Sequence, residues 1–293
     1  MIDLLPIFKS RVLTATAIAI GGLTLFAGSS SASKHFEKRF KVDAHPVVTI
    51  HNPSGTVTVK AWSRPEIKLV ADLQSDKMDV DAEQAGNRVD LNARAISANI
   101  SPDEMRADFE LFVPEDTELQ IHDDSGAVAV DDVVGDMAVD TVAAGVSLQD
   151  AAGYLTIRTV GGSVQCLRCA GKLEITSVSG NIKLIEMRSY NVRAQTWAGD
   201  MLFDGEFLPN GTYRLKNYSG LIEVHFSPAD SFDLSARSVR GKVDNQANLT
   251  PPPRKRGYEP KFSQGFVSGS MNQGKAKVEL VSFDGTINIH KRD

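Results

Sequence analysis

An all-β solenoid with coils of about 18 residues is the fold this sequence predicts, and three observations predict it. Small turn residues recur at Gly126, Ala144, Gly162 and Gly180, each 18 positions after the last. Apolar residues recur at fixed offsets on both sides of these turns. The repeating segments lack the three- and four-residue apolar spacing that a helix requires.

The offsets define columns. Five before the turn stand Ile121, Val139, Ile157 and Ile175; seven before stand Leu119, Met137, Leu155 and Leu173. Two after stand Val128, Val146, Val164 and Ile182; four after stand Val130, Leu148, Cys166 and Leu184. Gly199, Gly220, Gly241 and Gly285 continue the series with looser spacing, and Gly55 is an early outlier. In all eight coils only Asn245 breaks the apolar rule in these columns. Apolar residues two apart are strands with alternate side chains facing one way. No coil can bury its inner face alone, so coils must stack about 4.8 Å apart into a continuous core.

Polar columns fit the same register. Thr141, Thr159, Ser177, Thr196, Asn217, Ser238 and Ser282, three before the turn, predict a hydrogen-bonding ladder at one corner. Gly135, Gly153, Gly171 and Ser189, nine after, mark the opposite corner. Six after the turn lie Asp132, Asp150, Arg168 and Glu186, alternating in sign from Asp150 as neighbouring strands prefer.

The chain begins with a secretory pattern over residues 1–32. Lys9 and Arg11 precede an apolar stretch from Val12 to Ala27, then the small run Gly28 to Ser33. A signal helix cleaved after Ala32 is expected, which makes the protein exported, to the periplasm or cell surface. The alternative is an uncleaved anchor, the one expected route to a membrane. The stretch is shorter than the roughly 20 residues a spanning helix needs.

Residues 33–113 are strand-rich, with Val47 to Ile50, Val57 and Val59, and Ile67 to Val70 alternating or β-branched. They predict the first coils or a small capping sheet. The solenoid proper is expected over 114–293. Residues 250–274, rich in Pro and Gly, predict a long loop before a final coil, Val278 to Ile289, that closes the domain.

Ser54-Gly55-Thr56-Val57-Thr58-Val59, then Phe112-Val113-Pro114 leading to Leu119 and Ile121, then tandem Gly-turn coils, resemble the bacterial DUF4097 family. The resemblance covers roughly residues 45–290. It implies a right-handed β-helical fold and an envelope or surface location, in a family described as candidate adhesins. It carries no catalytic motif and no cofactor.

Candidate chemistry is sparse. Cys166 and Cys169 fall on core columns and read as buried thiols or as a local disulfide. Asp132 and Asp150, stacked on adjacent coils, are candidates for a divalent cation or for the paired acids of a polysaccharide-cleaving enzyme. The bland alternative is a solvated acidic face. No two of the six histidines have metal-ligand spacing on one element, and no nucleophile elbow is present. Trp62, Trp197 and Tyr218 could form a sugar-stacking platform. Yet Trp197 and Tyr218 share a column with Val142, Val160, Val178 and Phe283, which reads as core. A net charge of −5 argues against nucleic acid. The expected function is therefore non-enzymatic: an adhesin-like binder or scaffold for an envelope or surface protein or glycan. A periplasmic scaffold or sensor ranks second and a polysaccharide-active enzyme third.

Overall fold

A computed structural model describes residues 33–251 and 264–292. The expected signal segment, 1–32, lies outside the described residues. The strands, in chain order, are β1 (Lys34–Lys41), β2 (Val47–Asn52), β3 (Gly55–Trp62), β4 (Glu66–Leu73), β5 (Met78–Ala85), β6 (Arg88–Ala95), β7 (Ala107–Pro114) and β8 (Glu118–Asp123). Then follow β9 (Gly126–Asp131), β10 (Met137–Thr141), β11 (Gly145–Gln149), β12 (Ala152–Thr159), β13 (Val164–Leu167), β14 (Ala170–Ser177), β15 (Ile182–Ala198) and β16 (Met201–Gly205). The last are β17 (Thr212–Ser219), β18 (Leu221–Phe226), β19 (Phe232–Ser238), β20 (Val243–Asn245), β21 (Phe266–Met271), β22 (Ala276–Ser282) and β23 (Thr286–Lys291).

The strands form the predicted β-solenoid. One face carries the series β6, β2, β8, β10, β12, β14, second half of β15, β17, β22 and β19, paired in parallel. The other carries β7, β3, β9, β11, β13, first half of β15, β16, β18, β23 and β20, also parallel. The register is the one the columns require: Met137 lies between Leu119 and Leu155, and Leu148 between Val130 and Cys166. These residues are buried in one continuous core.

Spatial order departs from chain order at both ends. The β2–β3 coil stacks between β6–β7 and β8–β9, so Gly55, the early outlier, sits directly on Gly126. At the other end the β22–β23 coil slides between β17–β18 and β19–β20. The expectation that Val278 to Ile289 forms the closing coil is thus corrected: it is clamped on both sides, and β19–β20 stands outside it. Asn245 breaks the apolar column because it lies on that last rung, where its side chain bonds Ala247 at both the nitrogen and the carbonyl.

The looser spacings have local causes. Between Gly180 and Gly199 the chain gains one residue at a bulge where Gly171 pairs Ser189 but Lys172 pairs Asn191, leaving Tyr190 exposed. Between Gly199 and Gly220 an insertion buries Phe207 against Phe203, Tyr213 and Phe232. The 250–274 stretch is not all loop. Its Phe266–Met271 portion is β21, antiparallel to β19, while 252–263 lies outside the described residues.

Antiparallel strands cover the open edges: β5 on β6, β4 on β7, β1 on β4, and β21 on β19. Charged side chains are dense in β1 (Lys34, Glu37, Lys38, Arg39, Lys41) and on the outward side of β5 (Asp79, Asp81, Glu83), which discourages edge-to-edge pairing with another chain.

One corner is built from left-handed backbone without glycine. Asp132, Asp150, Arg168 and Glu186 have φ of 59°, 50°, 53° and 51°. Asp tolerates this region; Arg and Glu do so at a cost of roughly 1–2 kcal/mol each. Glu186→Gly, which keeps the turn and relieves the strain, is expected to raise stability by about 0.5–1 kcal/mol after the larger unfolded-state entropy of glycine is set against it. The urea midpoint measures this; an unchanged or lower midpoint would count against strain at this corner.

Candidate functional site

The column two residues before each turn forms the most distinctive surface. Along a strand, positions seven, five and three before the turn share one face. All three point inward, so the position two before must point outward. Val142, Val160, Val178, Trp197, Tyr218 and Val239 are exposed, Trp197 by 62%, and Phe283 is half-buried. The reading of these residues as core is therefore overturned, and strand parity is the reason. The residues between them and the turn are small on five rungs, Ala143, Gly161, Ser179, Ala198 and Ser219, and charged after Val239 and Phe283, where Arg240 and Asp284 stand. The result is a convex apolar ridge along one corner.

At its wider end the ridge is aromatic. Trp197 and Tyr218 stack with centroids 4.8 Å apart and planes 3° apart. Tyr218 and Phe283 follow at 4.7 Å and 15°. The Arg240 guanidinium closes the stack, 4.9 Å from the Phe283 ring. These separations match the rung spacing, so the solenoid itself holds the rings face to face. Both faces of Tyr218 are covered by its neighbours, and one face of Trp197 lies on Tyr218. Trp62 lies elsewhere: its Nε1 donates to Glu66 O at 2.8 Å, Arg64 lies 5.1 Å over its ring, and Phe112 packs at 5.4 Å.

Beneath the ridge runs the polar column. Most of its hydroxyls bond turn backbone rather than forming a side-chain ladder with one another, and the buried Ser282 Oγ has no partner. Thr141 Oγ1 donates to Ala144 O, while Thr159 and Ser177 accept from Gly162 N and Gly180 N. Spatial stacking adds two members, Asn52 and Asp123, both buried. Asn52 Nδ2 donates to Asp123 Oδ2 at 3.1 Å and to Ala107 O at 3.2 Å. Asp123 Oδ1 and Asn52 Oδ1 have no partner. Burial raises the Asp123 carboxyl to about 7, against the lowering effect of the Asn52 bond.

The other candidates are placed as follows. Asp132 and Asp150 do stack at the left-handed corner and line a shallow cleft of about 400 Å³ with Trp62 and Glu115. Asp150, however, gives both oxygens to Arg168, at 2.7 and 2.5 Å, and that guanidinium holds its carboxyl below the usual range. A cation on this pair would have to displace Arg168. Cys166 and Cys169 are both buried and stand as free thiols in this structure. Cys166 lies in the inward column between Leu148 and Leu184, and Cys169 contacts the Leu148 carbonyl at 3.7 Å. The neighbouring Cys169 thiol and burial push the Cys166 thiol up.

Rung stacking also joins histidines that are remote in sequence. His51 and His122 stack at 4.7 Å, and His225 meets His290 at 6.1 Å. Among the described residues no group of three or more His, Cys, Asp or Glu side chains is arranged to hold a metal. Among them, too, no helix is long and apolar enough to cross a membrane.

A two-faced parallel coil, capped by antiparallel strands and carrying an apolar strip on one corner, defines a β-repeat scaffold. The chain belongs to the Toastrack DUF4097 family, whose family model matches residues 45–290. Among solved structures, a candidate cell adhesion protein from Clostridium sporogenes is similar at 12% identity, covering 88% of this chain and 100% of that one, with a TM-score of 0.28. A candidate adhesin from Bacteroides fragilis matches at 11% identity, with 88% and 97% covered and a TM-score of 0.37. No curated protein matches the chain.

Proposed function

We propose that the protein is an exported, non-enzymatic binding protein of the adhesin type, and that the corner ridge from Val142 to Phe283 is its contact strip. The observation that carries this reading is the exposure of the ridge itself. Scattered surface apolar residues need no explanation, but a contiguous row over successive rungs does. A rigid solenoid holds such a strip straight at no ordering cost on binding.

The ridge chemistry favours a protein partner with an apolar groove over a glycan. A sugar ring packs on a free aromatic face, and here the faces of Tyr218 are covered on both sides by Trp197 and Phe283. Ring edges and valine methyls instead suit a groove. Burying one such aromatic side chain contributes on the order of 2 kcal/mol.

Trp197→Ser combined with Tyr218→Ser is expected to reduce attachment of expressing cells about tenfold or more while leaving the unfolding midpoint within about 1 kcal/mol of wild type, since both residues are exposed. Unchanged attachment with a folded variant would remove the ridge from the mechanism. Protease accessibility of the tagged chain on intact cells separates a surface adhesin from a periplasmic scaffold that uses the same strip on an envelope protein.

A further inference from the structure

The solenoid face built on β8, β10, β12 and their neighbours is electrically split. Its outward columns lie four, six and eight residues before each turn. From β5 to β10 these positions, with their register partners on β5 and β6, carry Asp81, Glu83, Asp90, Glu118, Asp136 and Asp140 against Arg88. From β12 to β19 the same columns carry Arg158, Lys172, Arg193, Arg214, Lys216, Arg237 and Lys277 against Glu174, Asp233 and Glu279. None of these side chains is buried. One half is strongly acidic and the other strongly basic, in a chain whose net charge is −5.

Internal pairing does not cancel the split. Arg94 bonds Asp81, Arg88 bonds Asp90, Arg158 bonds Asp140, and Arg214 and Lys216 share Glu279. Among the described residues Arg193, Arg237 and Lys277 form no ion pair, nor do Glu83 and Glu118. At the boundary between the halves the middle column is small and uncharged, with Ala138 beside Thr156.

We infer that this face docks a second copy of the chain, antiparallel, so that the acidic half of each copy meets the basic half of the other. A two-fold arrangement requires a self-complementary surface, and a strip whose charge reverses about its midpoint is one. The other long arrangement, parallel, would set like charges against like. Size is sufficient: eleven strands spaced about 4.8 Å, each presenting roughly 17 Å of length, offer about 800 Å² per copy, the standard for a stable interface. This interface is distinct from the corner ridge and leaves it available.

The test is the molar mass of the purified full chain by sedimentation and light scattering, as a function of salt. A dimer is expected at about 0.1 M salt, weakening at least about tenfold by about 1 M, where the screening length falls from about 10 Å to about 3 Å. Arg193→Glu with Lys277→Glu cancels the positive excess of the basic half, leaving five basic residues against five acidic ones, and that variant should be monomeric. Glu83→Lys with Glu118→Lys weakens the acidic half and should be monomeric too. Mixed together, the two variants should recover a heterodimer, an outcome that misfolding of either one cannot produce. A monomer at every salt concentration, larger open-ended oligomers, or a dimer indifferent to charge reversal would each overturn the inference. So would a monomer held by an immobilised polyanion, which would assign the basic half to an acidic partner.

Discussion

Asp123→Asn is expected to stabilise the protein at neutral pH, by an amount that grows between pH 4 and 7. Asp123 is 1% exposed, and its Oδ1 and the neighbouring Asn52 Oδ1 are both acceptors without a donor. Protonation supplies the missing donor and removes a buried charge, which is why burial lifts the folded carboxyl to about 7 from 3.8. The direction follows from linkage. Between these two values the folded state holds a proton that the unfolded state has released. Stability from this group is therefore fully present below pH 3.8, falls by about 1.4 kcal/mol per pH unit as pH rises, and is lost above 7. Paired carboxylates such as Asp150 act oppositely, so the measurement is the difference between wild type and variant. Urea unfolding at pH 5, 6, 7 and 8 should show the curves diverging up to pH 7 and running parallel beyond. Curves parallel throughout would place an ordinary carboxyl at 123.

Gly126→Ala is expected to cost more than about 3 kcal/mol, enough to threaten folding. Gly126 has φ +124°, and a Cβ there would lie 1.8 Å from Gly55 O. That oxygen cannot retreat cheaply, because Gly55 N donates to Ser125 O at 3.0 Å and the two coils share a ladder from Gly55 to Lys60. The control is Gly86→Ala. Gly86 also has positive φ, +60°, but nothing lies within 4 Å of its Cβ position, so about 1 kcal/mol is expected. Denaturant midpoints of the two variants compare an open left-handed position with one closed both by its φ and by the rung beside it. Equal losses would show that neither the φ of Gly126 nor its contact with Gly55 adds to the ordinary left-handed cost.

Much of the fold was legible because a stacked coil repeats its requirements every 18 residues. Leu155, Ile157, Val164 and Cys166 face inward for the same reason as Met137, Val139, Val146 and Leu148 one coil earlier. The ridge was also within reach. Thr141 is the last residue of β10 and Val142 the next along the chain, so alternation carried one residue further sets them on opposite sides, and the buried threonine column decides which points inward. Reading Trp197 and Tyr218 as core gave hydrophobicity priority over parity. Asp123 and Asn52 were harder to see. Each stands three residues before a turn glycine, Gly55 and Gly126, so both belong to the polar column, yet 71 residues separate them and only the stacking of their coils makes them neighbours.

The 18-residue period, the inward columns, the Gly turns and the family all follow from the linear order of residues, because each depends on a side chain and its near neighbours. Rung order does not. Whether β22–β23 stacks beyond β19–β20 or between β17–β18 and β19–β20 satisfies the same apolar columns, since every coil presents nearly the same inner face. That choice rests on contacts between whole coils and on the antiparallel β21 that covers β19. The same assembly brought Asp123 to Asn52 and His51 to His122, stacked Trp197 on Tyr218 and Tyr218 on Phe283, and divided one face into an acidic and a basic half. Those features are properties of neighbouring rungs, and only three-dimensional stacking makes rungs neighbours.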